Sequence, residues 1–225
     1  MSIVPVALGD RSYDILIEPG LLSRAGDVLA PFARNRRLAV VSDENVWAAQ
    51  SPALVAGLGD IEAVPLVVAP GEGSKSWAGL AHLVDRLLAL GVERSDHIIA
   101  FGGGMVGDLA GFAAAILKRG CNIVQIPTSL LAQVDSSVGG KTAINSGAGK
   151  NLVGAFHQPA LVLIDPLVLD SLPARELRAG YAELVKYGLI GDPAFFGWCE
   201  ANGAALLAGD PAARTYAIKT SVAAK

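Results

Sequence analysis

The stretch FGGGMVGDLAGFAAA, at residues 101–115, decides the fold of this chain. A short apolar run, His97–Phe101, leads into it, and an apolar stretch of helical character continues from about Val106. Its glycines have the spacing GxGxxG between a strand and a helix, an arrangement that places a pyrophosphate at a helix N-terminus. The acidic residue that usually closes a following strand about 20 residues later is missing. Tight packing of strand on helix is therefore an alternative explanation of the glycines.

On both sides of this stretch, short apolar runs bounded by turn residues predict strands. The first two, Ile3–Leu8 and Tyr13–Glu18, flank Gly9-Asp10 and predict an N-terminal hairpin. Helical patterns lie between the later runs, most clearly at Ser76–Leu90. This alternation predicts an α/β, Rossmann-like domain with a mostly parallel sheet. Its other strands are expected at Arg37–Val41, Ala63–Val68, His97–Phe101, Ile123–Ile126 and Leu161–Ile164.

After Leu172 the sequence shows helical patterns only. We therefore predict a boundary there, with an α/β domain at 1–172 and the beginning of an all-helical domain at 173–225. The final amphipathic stretch has no capping residue after it, so we expect the second domain to be truncated. Its helices should then expose apolar side chains. The expected helices are Ala174–Ile190, Pro193–Leu207 and Pro211 onward, and the expected exposed side chains are Phe195, Phe196, Trp198 and Leu206.

Composition excludes several classes of protein. With 52% hydrophobic and 17% charged residues, the chain has the composition of a globular protein with a large core. The net charge of −3 and the lack of a basic stripe argue against nucleic-acid binding. No signal peptide and no apolar run of membrane-spanning length is evident. Cys121 and Cys199 have no metal-binding spacing and are expected to be reduced thiols, which favours a cytoplasmic location.

Polar residues follow three of the predicted strands, where α/β proteins bind ligands. Asp43 and Asn45 follow the first strand of the parallel sheet, and Glu72 and Lys75 lie in PGEGSK after the next one. Asp43 has a second explanation as the cap of the following helix. A third pair, Thr128-Ser129, follows the strand that ends at Pro127. Asp108 is expected in the first turn of the helix after the glycines, where its charge suits the helix dipole.

Two further glycine-rich motifs carry lysines. They read VGGKT and GKNLVG, and they supply Lys141, Lys150 and Asn151. A lysine beside glycines offers a point charge for a phosphate or a carboxylate. Asp135, just before them, lies in an apolar helical run where a carboxylate is costly to bury without a partner. Hydrogen bonds with the adjacent serines are an alternative explanation for Asp135.

Glu183 and Lys186, in GYAELVKYG, share one face of a predicted helix. They form either an ordinary surface ion pair or, because the surrounding residues are apolar, a buried carboxylate that needs a cation or a metal. The three histidines, His82, His97 and His157, have no spacing that suits a shared metal, and each is expected to be structural.

Taken in order, these blocks resemble the 3-dehydroquinate synthases, the NAD-dependent cyclases of the shikimate pathway of aromatic amino acid biosynthesis. The resemblance implies a lyase that converts 3-deoxy-D-arabino-heptulosonate 7-phosphate to 3-dehydroquinate and phosphate. It covers the α/β domain and the first helices after it. Ser129 departs from the usual Thr-Thr pair of the family but keeps the hydroxyl.

The same resemblance implies roles for individual residues. It places a catalytic divalent metal, zinc or cobalt, on Glu183, with two histidine ligands that are absent from these 225 residues, so the chain alone is expected to be inactive. Arg119 would reach the phosphate pocket of a neighbouring subunit, which implies a homodimer, although a simple role at a helix C-terminus is the alternative. The implied substrate contacts are Asp135, Lys141, Lys150, Asn151, Lys186 and Arg119. The implied NAD contacts are Asp43, Asn45, Glu72, Lys75, Gly103, Gly104, Met105, Val106, Gly107, Asp108, Thr128, Ser129, Lys141, Lys150, Val168, Leu169, Asp170 and Ser171.

Three other functions stay open at this point. The 2-deoxy-scyllo-inosose and 2-epi-5-epi-valiolone synthases share the glycine motifs and differ in their substrate contacts. The metal-dependent polyol dehydrogenases are more distant and would release NADH. A nucleotide-binding module without catalysis is the third. KNLVG and AELVKYG favour the dehydroquinate branch.

Overall fold

A computed structural model describes all 225 residues and shows one seven-stranded sheet with helices on both faces. The order of its strands is β1-β2-β9-β6-β5-β3-β4. Only β1 is antiparallel to its neighbour, because the chain turns back through Gly9–Arg11 to form the predicted N-terminal hairpin. The strands are β1 Ser2–Val6, β2 Tyr13–Ile17, β3 Arg37–Asp43, β4 Glu62–Val68, β5 His97–Gly102, β6 Asn122–Pro127 and β9 Leu161–Ile164. The predicted fold class is confirmed.

The strand order creates a crevice for a ligand between β3 and β5. From β3 the chain continues to β4 on one side, and it then crosses back to place β5 on the other side. In parallel α/β sheets such a reversal separates two loops at the carboxyl edge, and ligands bind in the gap between them. The two loops at this gap begin at Asp43 and at Gly102.

Alternating side chains of the strands fill cores on the two faces of the sheet. On one face, Val40 and Phe101 pack against helices α1 and α2. On the other, Val41 and Ala100 pack against α3 and α4. These helices are α1 Ala25–Leu29, α2 Glu44–Leu58, α3 Trp77–Ala89 and α4 Gly104–Ile116.

Three helices follow the last strand, as predicted, and they pack directly on the sheet. They are α5 Ala174–Gly191, α6 Pro193–Leu207 and α7 Pro211–Ala224. Their apolar side chains share one core with Ile15 of β2 and Val162 of β9. Phe195 and Leu206 are buried in this core, and Phe196 and Trp198 are partly buried. The expectation that Phe195 and Leu206 are exposed is therefore wrong, whereas the division into two domains at residue 172 stays a prediction.

A second, two-stranded antiparallel sheet was not predicted. It consists of β7 Lys141–Ser146 and β8 Gly149–Phe156. One of its faces lies against α4, where a side-chain carbon added at Gly111 would come within 2.4 Å of Thr142 Cγ2. Gly139 and Gly140, which lead into β7, have φ values of 94° and 69° and so require glycine. The GGK motif thus has a structural reason besides ligand binding.

None of the helices combines the length and the apolar character that crossing a membrane requires.

Candidate active site

Several of the predicted site residues lie at the carboxyl edge of the sheet, where the parallel strands end. Asp43 ends β3, and the glycine segment ends β5. Thr128 follows β6, and its amide donates to the Gly102 carbonyl at 3.0 Å, which joins the β5 and β6 loops. The predicted positions of these residues at strand ends are confirmed by the fold.

The glycine segment opens directly into α4. Gly103 is the N-cap and Gly104 is the first helical residue, so the helix begins two residues earlier than predicted. The first N–H groups of a helix have no acceptor within it, and they can bind an anion. Side-chain carbons added at Gly103 and Gly104 would lie 3.4 Å from Ser129 Oγ and 2.9 Å from Ser136 Oγ. The segment is therefore a cradle of backbone amides edged by two serine hydroxyls.

Within this segment the Val106 side chain packs in the core. A ligand could therefore reach Val106 only through its backbone.

Asp43 caps α2, as the alternative explanation held. Its carboxylate accepts from the amides of Asn45 at 2.9 Å and Val46 at 3.1 Å. Asn45 is exposed at the first turn of α2, beside the crevice between β3 and β5.

Lys75 and Asp108 form a buried ion pair across the edge of the site. Lys75 Nζ lies 2.6 Å from Asp108 Oδ2, and the two side chains are only 4% and 16% exposed. Asp108 is the fifth residue of α4, so the expectation that it lies in the first helical turn is wrong. Burial raises the pKa of Asp108, and the nearby Lys75 only partly opposes this. The pair neutralises the lysine, which the sequence had suggested as a phosphate contact.

A chain of hydrogen bonds ties the Lys75 loop to the small sheet. The Lys75 carbonyl accepts from the Asn145 amide at 2.8 Å, and Asn145 Nδ2 donates to Glu72 at 2.8 Å. Asn145 Oδ1 in turn accepts from the backbone amide of Asn151 at 3.0 Å. Asn151 has a φ of 58°, a left-handed conformation that asparagine tolerates better than most residues. The loop after β4 and the hairpin therefore form one connected rim.

Lys141 and Asn151 line an open cleft of about 290 Å³ together with Asp108. The cleft lies between α4 and the small sheet, and Phe156 forms part of its wall. Lys141 is exposed and has no ion-pair partner, so its charge is free for a ligand. Lys150 is also exposed, on the same strand as Asn151, but it does not line this cleft.

A second group of charges lies where α5 meets the segment that follows β6. Asp135 belongs to a short π-helical turn, Ala132–Ser136, and its carboxylate accepts from Lys225 Nζ at 2.5 Å. Lys186 Nζ lies 2.7 Å from Glu183, with the two side chains 56% and 15% exposed. The pair is thus half-buried. This is intermediate between the surface ion pair and the buried carboxylate that the sequence allowed.

The negative charges of Asp135 and Glu183 raise the pKa values of neighbouring side chains. Hydrogen bonding and attraction to Glu183 raise the pKa of Lys186, and Asp135 adds to the effect. Burial, together with the charges of Asp135 and Glu183, raises the pKa of Tyr187, whose hydroxyl donates to the Val134 carbonyl at 3.1 Å. Asp135 also contributes to the raised pKa of Asp108. The two groups of charges are therefore close enough to interact.

The turn after β9 places two of its four predicted cofactor residues in the core. Val168 and Leu169 are buried, whereas the polar groups of Asp170 and Ser171 bind neighbouring side chains. Arg119 lies apart from all of these residues. It is exposed in the turn between α4 and β6, which precedes the amino end of a strand.

The chain brings together no group of three His, Cys, Asp or Glu side chains that could hold a metal ion. Glu183, the one predicted metal ligand, has Lys186 as its partner. The residues of this chain therefore do not form a metal site by themselves.

Three residues of the site were not singled out from the sequence. Asn145 joins the rim, Tyr187 lies beside Asp135, and Lys225 reaches the Asp135 carboxylate. Tyr187 lies inside GYAELVKYG and Asn145 follows VGGKT by three residues, so both could have been found beside motifs already noted. Lys225 contacts a residue 90 positions earlier, and no local pattern shows this.

Comparison with known proteins decides the family. A sequence model of the N-terminal domain of 3-dehydroquinate synthase matches residues 65–179, and the model of the C-terminal domain matches 180–225. The chain belongs to the 3-dehydroquinate synthase family. It is 59% identical to the 3-dehydroquinate synthase of Zymomonas mobilis over 99% of this chain and 59% of that protein. With the enzyme of Rhodospirillum rubrum the identity is 58%, over 100% of this chain and 59% of the relative. The chain thus spans about three fifths of the length of these curated relatives.

Solved structures of related cyclases have the same fold. The 2-epi-5-epi-valiolone synthase of Streptomyces hygroscopicus, with NAD⁺ and Zn²⁺ bound, is 33% identical with a TM-score of 0.89, over 97% of this chain and 61% of that one. A 2-deoxy-scyllo-inosose synthase is 32% identical with a TM-score of 0.73, over 84% and 54% of the two chains. An iron-containing alcohol dehydrogenase, 17% identical with a TM-score of 0.72 over 94% and 65%, shares the fold alone.

Proposed function

We propose that this chain supplies the NAD-binding part and most of the substrate-binding residues of a 3-dehydroquinate synthase, acting on 3-deoxy-D-arabino-heptulosonate 7-phosphate. The observation that carries the proposal is the 59% identity to a 3-dehydroquinate synthase along almost the whole chain. The geometry supports it, because the three groups adjoin. Ser136, next to Asp135, lies beside Gly104 of the glycine cradle, and Asp108 on the same helix as Gly104 lines the Lys141 cleft.

The residues at the glycine cradle fit NAD. The free amides at the start of α4 suit the pyrophosphate, and the absence of side chains at Gly103 and Gly104 leaves room for the backbone to approach it. The Lys75–Asp108 pair beside them is neutral as a unit and adds no repulsion. When bound, NAD⁺ supplies a hydride acceptor that is restored within the same reaction cycle. Glu72 and Asn45, both exposed at the same edge, are the proposed partners of the ribose and adenine half.

The charged groups fit a substrate that carries both a phosphate and a carboxylate. Lys141 is free in its cleft and can neutralise the phosphate as it leaves, with Asn151 donating a hydrogen bond from the same wall. Lys150 and Lys186 add further cations, and Lys186 is the proposed contact of the carboxylate. Asp135 can accept hydrogen bonds from the hydroxyls of the substrate if Lys225 moves away or if both bind the carboxylate at once.

Two parts of the proposal extend beyond the contacts within this chain. Glu183 is proposed as one ligand of a divalent metal, zinc or cobalt, such as the cyclase structures contain. The chain's own residues do not complete such a site. Arg119 is proposed to act in the phosphate pocket of a second copy in a homodimer, which agrees with its exposed position away from the edge residues.

A second candidate is another sugar-phosphate cyclase, because the 2-epi-5-epi-valiolone synthase has a TM-score of 0.89. Its identity of 33% is well below the 59% found for the dehydroquinate branch. The substrates differ in the carboxylate, so the cation at Lys186 discriminates between the two functions.

Isothermal titration of the NAD⁺-saturated chain tests the proposal. We expect the carboxylated heptulosonate phosphate to bind at least about tenfold more tightly than a heptulose phosphate without the carboxylate. Lys186→Met should abolish this preference, and Lys141→Met should weaken both sugars alike. Equal affinity of the wild-type chain for the two sugars would favour the second candidate, and binding of neither would refute the proposed function.

A further inference from the structure

Arg214, on α7, is the only buried arginine of the chain. Its side chain is 3% exposed, and its ion-pair partner, Asp170, lies 44 positions earlier in the chain. Burying a guanidinium is costly, and an apolar side chain of similar volume often packs there without loss of stability. A buried arginine in a helix that otherwise packs through alanine, isoleucine and valine therefore calls for a function of its charge.

All the polar contacts of Arg214 go to two places. Nη1 lies 2.6 Å from Asp170 Oδ1 and donates to the Pro166 carbonyl at 3.3 Å. Nε donates to the Leu206 carbonyl, at the end of α6, at 3.2 Å. A cation is favourable at that position because the C-terminal end of a helix carries a partial negative charge. The guanidinium thus joins the end of α6 to both ends of the turn Pro166–Ser171.

The same turn is held from its other side by α2. Gln50 Nε2 donates to Ser171 Oγ at 2.7 Å and to the Val168 carbonyl at 3.3 Å. The turn therefore lies between two fixed side chains, one from the helix that follows β3 and one from the helical segment after the sheet. Asp170, by contrast, is 63% exposed, so the buried cation fixes a carboxylate that faces solvent.

We infer that Arg214 is a positioning residue for NAD, acting through Asp170 and the Pro166 carbonyl to fix the 166–171 turn. The inference rests on the proposed function: the family resemblance implies that residues 168–171 contact NAD, and the turn follows β9 at the carboxyl edge of the sheet. It gives the helical segment after the sheet an effect on cofactor affinity through the turn, although Arg214 is itself buried. Arginine suits the task because its planar fork reaches several acceptors in fixed directions, which the single ammonium of lysine cannot do.

NAD⁺ titration calorimetry of four variants tests the inference. Arg214→Met should raise the dissociation constant about fivefold or more, and Asp170→Asn should raise it by a similar factor. Arg214→Lys should fall between Arg214→Met and the wild type, because the ammonium can still pair with Asp170. If Arg214 acts through Asp170, the double variant Arg214→Met/Asp170→Asn should bind no more weakly than the weaker single variant.

A matched control separates positioning from a general loss of stability. Tyr181 Oη donates to the Cys199 carbonyl at 2.7 Å and so links α5 to α6 away from the turn. Tyr181→Phe should lower the melting temperature and leave the NAD⁺ dissociation constant unchanged.

The possible failures are distinguishable. A wild-type chain that does not bind NAD⁺ would refute the proposed function and this inference with it. NAD⁺ affinity within twofold of wild type in folded Arg214→Met and Asp170→Asn would refute the inference alone. If Arg214→Met does not fold, Arg214→Lys and the exposed-site change Asp170→Asn decide the question.

Discussion

Replacing Lys75 by methionine tests whether the Lys75–Asp108 pair holds the loop after β4 against α4. Methionine keeps the length and apolar character of the lysine stem and removes the charge. At the observed separation of 2.6 Å, with an effective dielectric constant of about 20, the attraction is about 6 kcal/mol. Much of this offsets the desolvation of the two ions, and removing one partner of a buried pair typically costs about 3–5 kcal/mol.

The carboxyl group left behind limits that cost, because it can bind a proton. Protonation costs about 1.4 kcal/mol for each pH unit above the ordinary pKa of 3.8. The penalty of the orphaned charge therefore cannot exceed about 4 kcal/mol at pH 7, or about 1.5 kcal/mol at pH 5. Burial already raises the pKa of Asp108, and loss of Lys75 raises it further. The folded variant then binds the proton more tightly than the unfolded chain, so its stability relative to wild type recovers as the pH falls.

Urea unfolding followed by tryptophan fluorescence measures the loss of stability at pH 7 and at pH 5. We expect Lys75→Met to be about 3–4 kcal/mol less stable than wild type at pH 7 and about 1.5 kcal/mol less stable at pH 5. The double variant Lys75→Met/Asp108→Asn, which has no orphaned charge, should lose much of the pH dependence. A loss below about 1 kcal/mol at pH 7, the range of exposed pairs, would refute the reasoning, as would a loss that is the same at both pH values.

Two further predictions concern the helices after the sheet. The pKa of Tyr187 is raised in the folded chain, so the folded chain keeps this proton at a pH above 10, where the unfolded chain releases it. The stability of the wild type should therefore fall more steeply than that of Tyr187→Phe as the pH rises beyond about 10. Equal slopes of the free energy of unfolding against pH, measured by urea unfolding, would contradict this. Phe195→Ala should cost about 3–5 kcal/mol because Phe195 is buried in the core shared with β2 and β9. Phe196→Ala, at a partly buried neighbour, should cost clearly less, and similar losses for the two variants would show that this core does not form.

Much of the large sheet could be predicted from the sequence because its strands are short, apolar and bounded by turns. The small sheet could not. Its strands contain Gly149 and Gly154, residues that rarely favour strands, and it buries one face only. At Gly154 an added side-chain carbon would lie 1.9 Å from the Thr142 carbonyl oxygen, so this glycine is explained by the neighbouring strand. The glycines of these motifs suggested ligand binding, and for that reason the β7–β8 hairpin was not predicted.

The local contacts in the site were among the alternatives that the sequence offered. The contact between Glu183 and Lys186 follows from their spacing on one helix, and the capping role of Asp43 follows from its place before α2. The Lys75–Asp108 pair joins residues 33 positions apart and depends on how the loop after β4 folds over α4. Phe195 was expected to be exposed because the sequence alone does not show that β2 and β9 lie beneath α6.

The most direct test of the central claim is an NAD⁺ titration of Gly103→Ala. Gly103 has a φ of −72°, which alanine adopts without strain, and the added carbon would lie 3.4 Å from Ser129 Oγ, so the fold should tolerate it. The methyl group would nevertheless occupy the edge of the cradle where the backbone approaches the pyrophosphate. Gly197→Ala, in α6 with no atom within 4 Å of the added carbon, is the matched control.

In isothermal titration we predict one NAD⁺ per wild-type chain, unchanged affinity for Gly197→Ala, and at least about tenfold weaker binding for folded Gly103→Ala. Wild-type affinity in Gly103→Ala would contradict the placement of the cofactor at this edge of the sheet.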